Sequence, residues 1–316
     1  MRCPQPPASS VSARHEPVLV RETLAFLRPG QGLYLDATVG DAGHAEALLL
    51  ASDDLRLLAS DRDPAALAFA RQRLDRFGNR VTIIQGTFRD LPAAHAALGA
   101  EPLAGALFDY GLSSRQIEDP SRGISYRHSG PLDLRMDPSR GSTLLELLSA
   151  ASEEELADVL RTHGDVGRAR PLARAILAEV RSGALSNTRQ LAMLAGRVLR
   201  DSRPSALAPV FQALRVWVND EMADLEASLA WLPDAMADGG VVVTLSYHSG
   251  EDRRVKLALR GPVRATSRRR PPAADEPAAG PWDELTRKVV VASQQEQLTN
   301  PRARSARLRA FRRKPR

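Results

Sequence analysis

The chain has 316 residues, and its hydrophobic fraction of 43% and charged fraction of 26% are close to those of ordinary globular proteins. This composition excludes a wholly disordered chain and a collagen-like repeat, and the single cysteine, Cys3, excludes an internal disulfide and a Cys-based metal cage. No run approaches the roughly 18 apolar residues of a membrane span, and residues 1–14 lack the apolar core of a secretory signal. We expect about two domains in a cytoplasmic protein with a disordered leader over 1–14.

The positive charge is concentrated at the C-terminus. Residues 301–316 hold eight basic residues and no acidic one, whereas the whole chain has a net charge of only +6, so residues 1–300 sum to −2. This segment would suit a polyphosphate partner, and RNA or DNA is favoured over a membrane surface. A solvated end that aids solubility explains the charge equally well. We expect a basic RNA-binding tail over 301–316, the alternative being that Leu308 and Phe311 pack on a sheet.

Strands and helices alternate over the first third of the chain. Short apolar strands that alternate with helices predict a parallel sheet with right-handed crossovers. The predicted strands are 33–36, 56–60, 81–85 and 105–109, and the predicted helices are 15–27, 45–50 and 64–77.

The alternation then breaks. Residues 113–205 contain no convincing strand, and Ser152 with Glu155 forms the capping-box pattern typical of a helix start. We therefore predict a helical substrate-recognition domain at 113–205, inserted between the two parts of one α/β domain at 15–112 and 206–300.

Alternation resumes after the insertion. The spacing of apolar residues over 211–232 predicts one long amphipathic helix. A buried strand at 241–247 and a helix at 251–260 follow. Residues 261–283 are rich in Pro, Ala and Arg and are predicted to form a flexible linker, and a last strand is expected at 288–293.

The strand ends hold the candidate chemistry, because ligands bind at the carboxyl ends of parallel strands. The first strand runs into a turn of small residues, DATVGDAGH at 36–44, and the helix after it would present its N-terminal N–H groups to a ligand. Asp61 ends the second strand, where a carboxylate can accept hydrogen bonds from both ribose hydroxyls of an adenosine. A plain structural turn with a capping Asp is the alternative.

Two details favour S-adenosylmethionine (SAM) over a dinucleotide as the ligand. The turn is not G-x-G-x-x-G, so the pyrophosphate cradle is missing, and the ring of Phe88 could lie against an adenine. Asp109 ends the fourth strand, where an acceptor on the N–H of an exocyclic base amine would return electron density to the nitrogen and aim its lone pair at a methyl group. Such a displacement gains mainly from proximity and alignment, so no metal is expected.

Seven motifs in this order resemble those of the bacterial 16S ribosomal RNA cytosine-N4 methyltransferases, the RsmH or MraW family. The resemblance runs from about His15 to Leu308. It implies an α/β fold with a Rossmann-like SAM-dependent methyltransferase sheet and an inserted all-helical domain. It also implies SAM as methyl donor and the N4 amine of a decoding-centre cytosine, in the 16S rRNA of the small ribosomal subunit, as target. The motifs are DATVGDAGH, SDRDP, GTFRDL, FDYGLSSRQIEDPSRGISYRHSGPLDLRMD, FQALRVWVNDE, SYHSGEDRRVK and NPRARSARLR.

The resemblance also implies site residues. Asp109 is the catalytic candidate, as the acceptor that orients the amine. The resemblance leaves the oligomeric state open, with a homodimer among the options. The implied SAM contacts are Ala42, Gly43, His44, Asp61, Phe88, Asp109 and Gln116. The RNA-facing candidates are Arg122, Arg127 and Arg135 after the fourth strand, His248 after the fifth, and Arg302, Arg304, Arg307 and Arg309 in the basic segment.

Each group of candidates has a structural alternative. Asp133 and Asp137 could hold the arginines after the fourth strand in ion pairs within a folded loop. His248 is expected to position substrate at most, because an amine of this kind needs no strong base. Tyr110 is a candidate to stack on a base that has left its helix.

The sequence departs from the family pattern at several positions. Ala42 adds a Cβ where the family usually has Gly, and Asp41 adds a negative charge near the ligand carboxylate; either could weaken SAM binding. The altered turn keeps open a catalytically weak SAM- or RNA-binding ribosome-assembly factor. A DNA or protein methyltransferase is a further alternative, and an NAD dehydrogenase is disfavoured because G-x-G-x-x-G is missing. The remaining departures are Tyr110 for Leu, Arg115 for Pro, and Tyr247 and Gly250 in the loop after the fifth strand.

Overall fold

The computed structural model describes residues 17–261 and 280–316. The predicted leader over 1–14 and most of the predicted linker over 261–283 lie outside the described residues. The strands are β1 (Gly32–Asp36), β2 (Leu55–Asp61), β3 (Val81–Gln85), β4 (Leu103–Asp109), β5 (Met236–Ser246), β6 (Trp282–Glu284) and β7 (Arg307–Arg313). The helices are α1 (Val20–Leu27), α2 (Gly43–Ala51), α3 (Pro64–Leu74), α4 (Leu91–Ala97), α5 (Ser114–Glu118), α6 (Leu144–Ala150), α7 (Glu153–Gly164), α8 (Ala169–Arg181), α9 (Thr188–Leu199), α10 (Pro204–Asn219), α11 (Glu221–Ala235), α12 (Ser249–Arg260) and α13 (Gln294–Thr299).

All seven strands belong to one mixed sheet in the order β3-β2-β1-β4-β5-β7-β6. Strands β1 to β5 are parallel, and β7 runs antiparallel to both β5 and β6. The inner strands are short apolar runs whose side chains are buried on both faces, as expected when helices cover a parallel sheet. The predicted Rossmann-like α/β fold with an inserted helical part is confirmed.

Local sequence signals place the helices that border the site. Pro64 lies in the first turn of α3, where its missing N–H costs no hydrogen bond, and the Asp63 side chain accepts the N–H of Ala65 at 3.0 Å. Ser113 and Gln116 cap α5 reciprocally, each side chain accepting the other's backbone N–H. These caps fix where α3 and α5 begin, directly after the ends of β2 and β4.

The inserted helices surround an apolar cluster of their own. Leu156, Leu172 and Leu191, from α7, α8 and α9, are buried in it, and α10 adds Phe211. The domain limits remain a prediction, and this packing argues for extending the helical unit beyond residue 205.

The prediction of one long helix over 211–232 is wrong. Asp220 has left-handed backbone angles, with φ 50° and ψ 39°, and separates α10 from α11. The Asn219 side chain accepts the N–H of Met136 at 2.7 Å and donates to the Leu134 carbonyl at 2.8 Å. These two hydrogen bonds anchor the end of α10, at Asn219, to the segment that follows α5 along the chain.

Residues 301–316 are not a free tail, because residues 307–313 form β7, whereas RNA binding by this segment stays a prediction. Leu308 and Phe311 are fully buried against β5, which confirms the alternative that they pack on the sheet. Arg309 is buried as well, with its Nε donating to Asp252 at 2.6 Å, and Arg313 Nε donates to a backbone carbonyl at 2.9 Å. Arg309, which was predicted to face RNA, is therefore held within the fold by Asp252.

Two smaller predictions also need correction. The last strand is β7 rather than 288–293, where only Val290 pairs, in an isolated bridge with Leu308. The C-terminal end of the predicted linker is ordered, since Trp282 begins β6 and is buried.

Candidate active site

A cavity opens at the carboxyl ends of β1, β2 and β4. It is bounded by the turn after β1, by the segment from Gly86 to Phe88 after β3, and by α5 and α11. Of the predicted cofactor contacts, only Ala42 does not line this cavity. The ones that do are Gly43, His44, Asp61, Phe88, Asp109 and Gln116.

Ala42 belongs to the turn after β1 but does not line the cavity. Its side chain is fully buried, and its φ of 59° lies in the left-handed region that normally favours glycine. Such a backbone costs an L-residue about 1–2 kcal/mol, so neighbouring contacts must hold it. The Ala42 N–H donates to the Val39 carbonyl at 2.6 Å. Ala42 is also the N-cap residue of α2, whose first two residues, Gly43 and His44, line the cavity.

Asp61 fastens this turn to β2. One carboxylate oxygen accepts the N–H of Gly40 at 2.9 Å, and the other accepts the N–H of Asp63, also at 2.9 Å. Burial raises the pKa of Asp61 to about 6, although these two N–H groups oppose the shift. Each oxygen keeps a further lone pair for a ligand hydroxyl on the cavity side.

His44 is a buried structural contact as well as a wall residue. Its Nε2 lies 2.9 Å from the Val18 carbonyl, so in the neutral ring Nε2 carries the proton. Burial lowers the pKa of His44, which keeps the imidazole neutral. Its Nδ1 is 3.9 Å from Asp109, beyond hydrogen-bonding distance.

Asp109 ends β4 and lines the cavity, with 25% of its side chain exposed. Its Oδ1 accepts the hydroxyl proton of Tyr247 at 2.7 Å, and its backbone N–H donates to the Thr38 side chain at 2.7 Å. Burial raises the pKa of Asp109, whereas the Tyr247 hydrogen bond and the nearby Arg302 charge lower it. The carboxylate is thus desolvated, and its partners favour the charged form that can accept a proton.

Aromatic rings form the far wall. Phe88 meets Phe108 and Tyr110 edge to face, with ring centroids 5.5 and 5.7 Å apart. Tyr110 is itself buried at the base of this cavity, so it does not reach the neighbouring cleft as a stacking residue for an RNA base.

Gln116 and Arg122 meet at a buried carboxylate that the sequence analysis did not select. Asp63, 2% exposed, accepts Gln116 Nε2 at 2.9 Å and pairs with Arg122 at 3.0 Å. Arg122 also donates to the Met136 carbonyl, so its guanidinium is held within the fold, and its RNA contact stays a prediction. The signal that could have revealed Asp63 is its place between a strand end and a Pro-initiated helix.

The remaining arginines of that segment divide into two cases. Arg135 is held by Asp133, with Nε 2.7 Å from Oδ1, as in the alternative of a folded ion-paired loop. Arg127 is exposed and lines a second cavity.

This second cavity, the substrate cleft, adjoins the first between the helical unit and the segment before β7. Its volume is about 920 Å³, and Tyr126 and Phe211 contribute rings to its wall. Tyr247 and Arg302 line both cavities. Among the predicted RNA-facing residues, those that line the cleft are Arg127, His248 and Arg302, whereas Arg304 and Arg307 are exposed outside it.

His248 and Arg302 are fixed at the mouth of the cleft. His248 caps α12, and its Nε2 lies 3.1 Å from the buried carboxylate of Glu251. Glu251 also accepts the Tyr247 N–H at 2.8 Å, which fixes the loop that holds the Tyr247 hydroxyl on Asp109. Arg302 donates to the Ser114 hydroxyl at 2.8 Å.

Neither a metal-binding cluster nor a membrane-spanning helix occurs within residues 17–261 and 280–316. In that part of the chain no group of three His, Cys, Asp or Glu side chains is placed to hold a metal ion. Nor does it contain a helix that is long and apolar enough to cross a membrane.

The strand order, with an antiparallel β7 inserted beside β5, and a cavity at the ends of β1, β2 and β4 define the class of Rossmann-like methyltransferases. Within this class, the model of the MraW methylase family matches residues 12–314. The chain therefore belongs to the MraW methylase family, which confirms the resemblance stated from the motifs.

Two relatives match this chain over nearly their whole length. A ribosomal RNA small subunit methyltransferase H from Sorangium cellulosum is 44% identical, covering 99% of this chain and 95% of that protein. Its namesake from Anaeromyxobacter sp. (strain K) is also 44% identical, covering 95% and 98%. Among solved structures, an rRNA methylase from Streptococcus thermophilus aligns with a TM-score of 0.42 at 11% identity, covering 96% of this chain and all of that one. A likeness this distant says nothing about function.

Proposed function

We propose that this protein is a SAM-dependent methyltransferase of small-subunit ribosomal RNA and that its target is the N4 amine of a decoding-centre cytosine in 16S rRNA. Family membership and the names of the relatives support the coarser part of this proposal. One observation supports the finer part. The Asp109 carboxylate, which a base amine could contact, lies in the cofactor cavity and is hydrogen-bonded to Tyr247, a residue shared with the substrate cleft.

The residues of the first cavity fit SAM. Asp61 offers two lone pairs to ribose hydroxyls, Phe88 offers a ring beside the adenine, and the N-terminus of α2 at Gly43 suits an anionic carboxylate. When bound, SAM supplies an electrophilic methyl group on a sulfonium. We propose that His44 contributes through its backbone at this helix start, since its ring is committed to Val18.

Asp109 then acts on the amine rather than on the methyl donor. A cytosine N4 lone pair is delocalised into the ring, and an acceptor on its N–H draws it back onto nitrogen. The Tyr247 hydroxyl occupies one carboxylate oxygen and leaves the other to the substrate. Because the carboxylate is partly shielded from solvent, this hydrogen bond is stronger than it would be in water. After transfer the extra proton of the amine is lost toward the same carboxylate.

We propose that the substrate cleft receives the target nucleotide. A base in structured RNA must leave its stack to reach such a pocket, and the rings of Tyr126 and Phe211 offer apolar faces there. Arg127 and Arg302 line the cleft and could pair with phosphates. We further propose that Arg304 and Arg307, both exposed, extend this contact.

A second candidate is a ribosome-assembly factor that binds SAM or RNA with little turnover. The observation that favours it is the Ala42 and Asp41 pair in the cofactor turn. Ala42 adopts the backbone that glycine would adopt there, so the turn keeps its form. Turnover is therefore the distinguishing measurement, with binding alone expected for the assembly factor.

The test is methyl transfer from radiolabelled SAM to small ribosomal subunits purified from a strain that lacks this gene, with DNA and total protein as competing substrates. We expect label in RNA, released on digestion as N4-methylcytidine. Label in DNA or protein, or in another nucleoside, would contradict the proposed target. Binding of SAM and subunits without label would favour the assembly factor.

A further inference from the structure

Two residues that depart from the family pattern contact each other. Arg115, from α5, donates from Nε to Oδ1 of Asp41 in the cofactor turn at 2.7 Å. The two residues are 74 positions apart, and the ion pair joins the turn after β1 to the helix after β4 across the rim of the cofactor cavity. Asp41 lines that cavity.

Both partners are held in place. The Arg115 guanidinium lies over the Phe69 ring of α3, 4.0 Å from its centroid, which restricts the rotamers of an otherwise half-exposed side chain. On the other side, Arg73 donates to the backbone carbonyl of Asp41 at 2.7 Å. The side chain and the backbone of Asp41 are thus fastened to two different elements.

The position of Asp41 gives the pair a consequence for ligand binding. Asp41 directly precedes Ala42, whose left-handed backbone caps α2. The N-terminus of α2 is where an anionic ligand group is stabilised by the helix dipole. A free carboxylate at Asp41 would repel such a group, and a loosened turn would lose its strained shape.

We propose that Arg115 is a positioning residue for the cofactor: its guanidinium neutralises Asp41 and fastens the cofactor turn, so that Asp41 does not repel the methionine carboxylate of SAM. This rests on SAM being the ligand of the first cavity. It makes the role of Arg115 conditional, because the guanidinium is needed only while the carboxylate of Asp41 is present.

The experiment compares calorimetric affinities of wild type, Arg115→Ala, Asp41→Asn and the double variant for two probes, SAM and 5′-methylthioadenosine, which lacks the amino-acid portion. Arg115→Ala should weaken SAM about three- to fivefold, the scale of a partly exposed ion pair, and less at high salt. Methylthioadenosine affinity should stay within about twofold. The double variant should return SAM affinity to near wild type. Arg170→Ala, which removes an exposed partner of Glu153 in the helical unit, is the matched control.

Three results would overturn the proposal. Arg115→Ala could bind SAM like wild type, the double variant could stay as weak as Arg115→Ala, or both probes could weaken equally, which would indicate a purely structural role. Failure of the proposed function would give a different set of results from failure of the role of Arg115. Wild type that binds no SAM removes the premise, whereas wild type that binds SAM but methylates no cytosine leaves the role of Arg115 intact.

Discussion

Asp61 and Asp109 end the two strands that flank β1, next to the cofactor turn. Their surroundings favour different roles for the two carboxylates. Both oxygens of Asp61 hold backbone N–H groups, so it shapes the turn as well as the ligand site. Asp109 accepts the Tyr247 hydroxyl at Oδ1, and its Oδ2 lies 3.9 Å from His44 Nδ1, beyond hydrogen-bonding distance. A cofactor role suits the first carboxylate, and an acceptor role suits the second.

Asp61→Ala should weaken SAM binding about tenfold or more. The change removes hydrogen bonds between a charged acceptor and ribose hydroxyls, worth about 1.5–3 kcal/mol, and frees the N–H of Gly40. Calorimetry with SAM measures it, and Glu101→Gln, on an exposed ion pair away from the site, is the control. Unchanged affinity would mean that Asp61 serves only the fold.

Asp109→Ala should lower turnover on the order of 100-fold, the scale for losing one oriented polar group that acts in the transition state. RNA binding should change far less, since the acceptor acts chiefly as the methyl transfers. Single-turnover rates at saturating SAM and RNA test this. A rate near that of wild type would eliminate Asp109 as the acceptor.

Asp36 should make stability depend on pH in an unusual direction. It is buried, one carboxylate oxygen has no partner, and burial raises its pKa to about 7. The folded state therefore binds a proton that the unfolded state, with a pKa of about 3.9, has released. This group's contribution to the free energy of unfolding is full below about pH 4 and is lost as pH rises through 7.

Asp36→Asn removes that dependence. Melting temperatures of variant and wild type, measured from pH 5 to pH 8, should diverge in favour of the variant as pH rises. Parallel curves would show that Asp36 titrates alike in the folded and unfolded states.

The sequence predicted the strand-end residues well and their partners poorly. Asp61 and Asp109 could be found because parallel strands place their carboxyl ends at one edge, a rule that needs no tertiary detail. Asp63 and Tyr247 could not, because their roles depend on contacts with residues 53 and 138 positions away. No local pattern encodes such distances.

At the scale of elements, β7 shows why composition misled. Eight basic residues suggested a free tail, but Leu308 and Ala310 alternate with Arg307 and Arg309 in a way that also fits a strand. Arg309 and Arg313 point into polar surroundings that satisfy them. The helix over 211–232 was mispredicted for a related reason, since continuous apolar spacing does not report the left-handed residue at Asp220.

Phe311→Ala should therefore destabilise the whole protein rather than merely weaken RNA binding. Phe311 is fully buried in the apolar cluster of the sheet, and such truncations cost about 3–5 kcal/mol. Denaturant unfolding measures the loss. Leu298→Ala, at an exposed position of α13, is the control and should change little. A wild-type midpoint for Phe311→Ala would indicate that β7 is dispensable.

At the scale of the molecule, two apolar bodies create the site. The sheet carries the cofactor cavity, and the helical unit contributes residues to the wall of the adjoining cleft. The organisation of an interrupted α/β domain was predictable from the change in periodicity after residue 112. The cleft itself was not, because it depends on how α10 and the segment after β4 pack.

We propose above all that the cleft delivers a cytosine amine of 16S rRNA to Asp109. Mass mapping of 16S rRNA from a strain deleted for this gene, and from the same strain carrying wild type or Asp109→Ala, tests it most directly. We expect that a methyl group on N4 of one decoding-centre cytosine disappears in the deletion, returns with wild type and does not return with Asp109→Ala. An unchanged methylation map in the deletion strain would contradict it.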